Sequence, residues 1–301
     1  MSIIIITKDD PDVVVTIKHI VAQMARSVHR AELVIVAAGD PPDVAARWRD
    51  GVRWVPFDSS ARKATIPEQR NVGMAHSQGD VIVFIDSGCV PCEGWLDRLV
   101  QPVFEEREDL VAGAHVASGP HAIRDDDVPR RKGAQYLTEA PTINLAITRR
   151  AIDAVGAFDE SFGYGSDVDL TWRAADAGYR IRFEPAAVVT HDWGSLRRDL
   201  RRSWVYGGAR FALYAKHRSR RRLILRRDPV AIIYPAYLTL LPATRFHRLV
   251  IVAGLAPLVK NWRHRPFLTT AHNYAFGAGF LTAAGKRARG RLSGGRRRVD
   301  A

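Results

Sequence analysis

The chain is short of several things, and each shortage narrows what it can be. Only two of its 301 residues are cysteine, Cys89 and Cys92, in a single CVPC tetrad. That count excludes a disulfide-stapled secreted scaffold. No second CxxC or spaced histidine pair supplies the other ligands of a zinc site. The tetrad is then either a redox pair or two small residues at a strand exit, and reduced thiols in a cytoplasmic protein are expected. No GxGxxG follows the first β-branched run and no GxxxxGK[ST] is present, which disfavours a dinucleotide cofactor and a P-loop. Met1 and Ser2 lead into Ile3–Ile6 without a basic n-region, so no signal peptide is expected.

Acid is scarce at one end. Residues 191–301 hold 24 Lys+Arg against 4 Asp+Glu, leaving 21 against 28 in residues 1–190. The net charge of +13 therefore divides into a mildly acidic body and a strongly basic tail. Such a tail suits an anionic membrane surface or nucleic acid. Trp204, Tyr206, Phe211 and Tyr214 interleave the arginines of Arg197–Arg227. The modules that stack RNA bases are absent, so no nucleic-acid partner is expected. Long apolar runs are missing too. Val230–Ala243 contains Pro235 and Pro242, Leu249–Val259 is 11 residues, and Phe267–Ala284 carries His272 and Asn273. Spanning a bilayer takes about 20 apolar residues, so these read as interfacial or shallowly inserted helices, or as helices packed on the body.

What is present is an α/β pattern. The hydrophobic share of 47% supports a real core. Ile3–Ile6, Leu33–Val36 and Val81–Ile85 are short runs without alternation, the mark of buried parallel strands. Between them Val13–Ser27 and Ile66–His76 have helical periodicity, and Trp95–Phe104 follows the third run. Val44–Trp48 is expected to be a short helix and Val52–Pro56 a short strand. His121–Gly133 is expected to be a mobile polar stretch, Asn144–Ile147 a strand and Arg149–Val155 a helix. This βαβαβ order predicts a mostly parallel, Rossmann-like sheet with helices on both faces and ligands at its carboxyl ends. Asp40, Asp86 and the cluster Thr7–Asp10 all lie at such ends.

The stretch Gly156–His191, GAFDESFGYGSDVDLTWRAADAGYRIRFEPAAVVTH, carries the densest chemistry. Gly163 and Gly165 loosen the backbone before Asp167 and Asp169, and a helix runs from Val168 to Gly178. Ile181, Phe183 and Ala186–Val189 read as short strands that bring His191 to an edge. A carboxylate at a helix start suits a general base, and equally suits an N-cap at Asp167 with a first-turn dipole partner at Asp169.

In their order and spacing these pieces resemble a family 2 glycosyltransferase of the GT-A fold, over roughly residues 2–210. The pieces are the opening strand to Thr7, RNVG at Arg70–Gly73, GDVIVFIDSG at Gly79–Gly88, PTINLAITRRAIDAVGAFDESFG from Pro141, and GSDVDLTWR from Gly165. The closing piece, AGYRIRFEPAAVVTH, ends at His191. The members nearest in character are bacterial rhamnosyltransferase-like enzymes of the cell envelope.

The resemblance implies inverting transfer from a nucleotide-diphosphate sugar to an acceptor hydroxyl. Asp167 matches the catalytic base, with Ser166 where the family has Glu. Asp86 matches the first acid of the Asp-x-Asp that holds Mg2+ or Mn2+, and Gly88 replaces the second, which weakens the site. His191 matches an additional metal ligand and favours Mn2+, or else is a buried histidine bonded to a carbonyl. Thr7 matches a base and ribose contact, Arg70 and Asn71 a pair near the diphosphate, and Asn144 a residue near the donor sugar. Arg70 reads equally as a solvated helix residue. Asp169 and Arg173 match the acceptor side, or form an i, i+4 ion pair. Ala37 and Ala38 stand where the family has acids that read the base, and Asp40 is displaced, so the base is open.

The expected organisation is a catalytic domain at 1–200, a basic and apolar membrane-associating helical region at 201–285, and a disordered basic tail at 286–301. The acceptor is expected to be a glycan or lipid-linked molecule at the inner face of the membrane. The competing readings are a degenerate relative that binds nucleotide sugar or a partner without turnover, a thiol oxidoreductase using Cys89 and Cys92, and nucleic-acid binding by the tail.

Overall fold

A computed structural model describes residues 1–39, 52–59, 64–118, 133–192, 194–240 and 266–296. Asp40, the expected helix Val44–Trp48, nearly all of His121–Gly133 and the apolar run Leu249–Val259 lie outside the described residues. The chain forms two compact units, Met1–Asp192 and Trp193–Ala301.

The first unit is built on one mixed sheet. Its strands are β1 (Ser2–Lys8), β2 (Glu32–Ala38), β3 (Val52–Pro56), β4 (Val81–Ile85), β5 (Cys89–Pro91), β6 (Leu110–Ser118), β7 (Tyr136–Leu137), β8 (Asn144–Thr148) and β9 (Ile181–Asp192). The order is β3-β2-β1-β4-β8-β6-β9-β5, with β7 paired to β9. Pairing is parallel from β3 across to β4, as the unalternating Ile and Val runs require. Beyond β4 it is mixed: β8 is antiparallel to both neighbours, β6 and β9 are parallel, and β5 and β7 are antiparallel to β9.

The helices of this unit are α1 (Val13–Met24), α2 (Ile66–Ala75), α3 (Trp95–Phe104), α4 (Arg149–Val155) and α5 (Ser166–Asp176). Ile4, Val34, Val36, Ile82, Phe84, Leu145 and Ile147 of the sheet belong to one core, with Met74, Phe158 and Leu170 packed into it. Helix α2 lies close on the sheet because Gly73 lacks a side chain; a Cβ there would stand 2.6 Å from a methyl of Ile4. The start of α2 is fixed by a capping box, in which Glu68 accepts from both the backbone N–H and the hydroxyl of Thr65.

Two local expectations change. The run from Ile181 to His191 is one strand, not two short ones. The break suggested by Glu184-Pro185 becomes a bulge, where Gly113 pairs with Glu184 and the next residue, Ala114, pairs with Val188. Asp167 is not the N-cap of α5; Gly165, at φ 82°, holds that place.

The second unit contains α6 (Leu196–Lys216), a 3-10 segment Arg218–Leu223, a helical turn Ile224–Arg227, α7 (Val230–Leu240) and α8 (Pro266–Arg296). The tail expected to be disordered from residue 286 is helical as far as Arg296. Lys286, Arg287, Ala288 and Arg289 are good helix formers and no proline interrupts them. Glycines let α6 and α8 cross closely: a Cβ on Gly207 would fall on the carbonyl oxygen of Phe276, and one on Gly279 on that of Trp204. Among the described residues no helix is long and apolar enough to cross a membrane.

Candidate active site

The site grows from the carboxyl end of β4. Val81–Ile85 is buried throughout, and at Asp86 the chain leaves the sheet in a turn closed by the Cys89 N–H and the Asp86 carbonyl at 3.3 Å. Gly88, at φ +79°, permits that turn. The tetrad is not an ordinary turn: Cys89–Pro91 is β5, and its pairing with β9 sets Cys89 opposite His191. The imidazole is thereby brought to Gly88, where an added Cβ would meet its Cε1 at 3.4 Å and its Nδ1 at 3.5 Å. The Cys89 sulfur lies 3.7 Å from that Nδ1. Burial, with the charge of Asp86 adding to it, pushes the Cys89 thiol well up, so it stays protonated. That state makes Cys89 a poor nucleophile.

Helix α2 delivers the cation of the site. Its Gln69 amide donates to the carbonyls of Thr7 and Val36, tying together the ends of β1 and β2. The next residue, Arg70, is not solvated. It donates to Asp86 at 2.8 Å, with side-chain exposures of 7% for the arginine and 39% for the aspartate. Its guanidinium stands 5.7 Å over the Phe158 ring. Asn71, expected near the diphosphate, holds this arrangement instead. Its amide brackets the Phe158 backbone, accepting from the N–H and donating to the carbonyl at 3.0 Å each, and also donates to Glu160 at 2.9 Å.

Helix α5 delivers the second acid. The Asp167 carboxylate accepts the N–H of Val168 at 2.8 Å and is also bonded by the backbone of Thr142. Burial raises its pKa first and the nearby Asp86 charge adds to that; Arg70 and the two backbone bonds oppose it. Asp86, Arg70 and Asp167 thus form one electrostatic cluster, in which Asp167 feels both the guanidinium and the other carboxylate.

Other expected site residues take structural partners. Asp169 pairs with Arg173 at 2.9 Å, with exposures of 0% and 20%, and Arg173 also donates to the carbonyls of Val155, Gly156 and Ala157. The i, i+4 reading holds for this pair, and the arginine fastens the loop ahead of α5. Asn144 is buried inside the sheet. Its amide donates to the carbonyls of Ala114 and Ala187 at 2.8 Å, and its oxygen accepts from the Trp95 indole at 2.8 Å. Both polar atoms of its side chain are engaged within the sheet. The Thr7 hydroxyl is buried with no hydrogen-bond partner among the described residues. Gln69 and Phe158 were not singled out in the sequence; Gln69 adjoins the RNVG motif and Phe158 lies inside GAFDESFG, which is the signal that marks them.

Among solved structures, the mannosyltransferase PcManGT from Pyrobaculum calidifontis, in complex with GDP-Man and Mn2+, matches with a TM-score of 0.66 at 17% identity, over 93% of this chain and 86% of that one. The fold is therefore of the GT-A type. Residues 2–158, just over half of the chain, match the family described as Glycosyl transferase family 2. The chain belongs to that family. It is 33% identical over 162 residues to a pre-mycofactocin glycosyltransferase of Mycobacterium tuberculosis, covering 49% of this chain and 34% of that protein. It is also 31% identical over 129 residues to the glycosyltransferase AglE of Haloferax volcanii, covering 40% of this chain and 42% of that one. The chain thus spans less than half the length of the curated relatives it matches.

Proposed function

We propose that this chain is an inverting glycosyltransferase that moves a sugar from a nucleotide-diphosphate donor to an acceptor hydroxyl. The observation that carries the reading is the convergence of Asp86, Arg70 and Asp167 at the strand tips. In a single displacement the acceptor oxygen forms a bond to the anomeric carbon as the bond to the diphosphate breaks. The acceptor proton goes to Asp167, whose raised pKa makes its carboxylate a stronger base than an ordinary aspartate. Negative charge grows on the departing diphosphate, where Arg70 supplies a fork-shaped cation in a site of low dielectric.

A divalent cation fits this arrangement in part. Asp86 is open enough to serve as an oxygen ligand, and His191 reaches the edge of Gly88. Among the described residues no group of three His, Cys, Asp or Glu side chains gathers to hold an ion. Asp86 and His191 would hold the cation together with diphosphate oxygens, and the imidazole favours Mn2+ over Mg2+. When bound, the cation neutralises the leaving group.

We place the reaction at the inner, cytoplasmic face of a membrane, on a glycan or lipid-linked acceptor. The excess of 24 Lys+Arg over 4 Asp+Glu in residues 191–301 supports this, as do the exposed Leu225, Ile232, Ile233, Leu240 and Phe267. The test of turnover is incubation with candidate nucleotide sugars and Mn2+. Slow donor hydrolysis that disappears in Asp167→Asn supports the enzyme; donor binding without hydrolysis or transfer points to the degenerate relative. Flotation with anionic vesicles that fails with neutral ones, or fails above about 0.5 M salt, supports the membrane surface.

A further inference from the structure

We propose that Cys89 and His191 together form a site for a thiophilic divalent ion, of which Zn2+ is the type. The inference rests on the preceding reading, in which a cation neutralises a diphosphate beside Asp86. It adds that the same place takes a second, softer kind of ion.

Nothing in the sequence pairs these two residues, which stand 102 positions apart. The sheet does so. Strand β5 lies antiparallel to β9, and their register sets Cys89 directly opposite His191. The Cys89 sulfur and the His191 Nδ1 are 3.7 Å apart, close enough for the thiol to donate to the ring nitrogen. That distance also matches the separation of adjacent ligands around a tetrahedral metal. With Zn–S about 2.3 Å and Zn–N about 2.0 Å, the two ligand atoms stand roughly 3.5 Å apart. An ion can therefore replace the thiol proton with little movement of either side chain. Cys–SH and M2+ give Cys–S–M+ and H+, because a bound ion deprotonates the thiol that ligates it.

The surroundings favour a soft ion. Gly88 leaves the same edge of the imidazole uncovered: a Cβ there would meet Cε1 at 3.4 Å and Nδ1 at 3.5 Å. The same glycine removes the acid that the resemblance places at this position, and with it a hard oxygen. The donors are thereby moved from oxygen toward nitrogen and sulfur, which ranks Zn2+ above Mn2+. The Cys92 thiol faces elsewhere, toward the Ala186 carbonyl at 3.6 Å and the Arg98 guanidinium at 3.9 Å.

Hard and soft ions use the pair differently. Mn2+ takes Asp86, His191 and diphosphate oxygens, and leaves the thiol protonated. Zn2+ is satisfied by four ligands, so Cys89, His191 and two diphosphate oxygens complete its tetrahedron. Two protein ligands for either ion agree with the lack, among the described residues, of any gathered group of three His, Cys, Asp or Glu. Both ions need the one imidazole, so each excludes the other.

Cobalt reports the ligand, since tetrahedral Co2+ bound to a thiolate shows a sulfur-to-metal charge-transfer band in the near ultraviolet. The full chain with Cys92→Ser, in which Cys89 is the one cysteine left, is titrated with Co2+ in the presence of inorganic pyrophosphate. The band is expected, and Zn2+ should remove it at concentrations at least about ten-fold below those at which Mn2+ does. Adding Cys89→Ser should abolish the band and weaken Zn2+ at least about ten-fold, with Mn2+ affinity unchanged. Should that variant fail to fold, X-ray absorption at the zinc edge decides with Cys92→Ser alone, where one sulfur at about 2.3 Å is expected. No charge-transfer band, a zinc shell of nitrogen and oxygen only, a band that survives Cys89→Ser, or equal losses of Zn2+ and Mn2+ affinity overturns the thiolate ligand. Donor hydrolysis with Mn2+ that persists in that case leaves the glycosyltransferase reading standing; if hydrolysis is absent too, both fall.

Discussion

Two arginine–aspartate pairs in this unit have almost the same length and opposite uses. Arg70–Asp86 measures 2.8 Å and Arg173–Asp169 measures 2.9 Å. In the second pair the carboxylate is sealed, and the guanidinium spends its remaining donors on the carbonyls of Val155, Gly156 and Ala157. In the first the carboxylate opens to solvent, and the guanidinium has an aromatic face on one side and a second acid, Asp167, within its field. Access of the acid to solvent, rather than the geometry of the pair, separates a joint from a site.

The comparison breaks most sharply at the acid beside the first pair. Asp167→Asn should lower transfer about 10²- to 10⁴-fold, the usual worth of a general base. It should not lower thermal stability at neutral pH. Because the folded-state pKa of Asp167 is raised, its contribution to stability is present below the unfolded pKa and is lost as pH rises through the folded one. The neutral asparagine escapes that loss, so equal or higher melting temperature with no turnover is the expected signature.

Asp169→Ala should do the reverse. It leaves a largely buried guanidinium without its counter-charge and should cost about 3–5 kcal/mol in urea unfolding, with activity in any surviving folded fraction near normal. Asp86→Asn sits between the two. It should cost less stability than Asp169→Ala, about 1–3 kcal/mol, because the acid is partly solvated, and it should weaken nucleoside diphosphate binding in calorimetry. The smallest effect is on pH dependence. With Asp167 as base, transfer should rise with pH through a pKa above the ordinary aspartate value and then level off, and that limb should shift in an Asp167→Glu variant; a limb that stays in place there means that a different group is the base.

Much of the first unit was legible in the sequence because its strands are unalternating and punctuated. Val81–Ile85 lies between Gly79-Asp80 and Asp86-Ser87-Gly88, and Trp95–Phe104 opens after Gly94; both elements fall on those residues. Strand β5 was not legible, since three residues of Cys-Val-Pro have no period and pair only with residues about a hundred positions on. The continuity of β9 is likewise a tertiary result: pairing with β6 carries the strand across Pro185, which local propensity would end. Asp86 and Asp167 could be found as acids at a strand end and a helix start. That Asn144 is consumed inside the sheet could not, because its partners Trp95, Ala114 and Ala187 come from three other elements.

The bare crossing of α6 and α8 has a consequence for the second unit. With Gly207 against the Phe276 carbonyl and Gly279 against that of Trp204, backbone meets backbone at two reciprocal points, like a mortised joint. Sliding α8 by a residue would bring Ala278 or Phe280 to the Trp204 carbonyl and wedge the joint open, so the register of this pair is locked by what the glycines leave out.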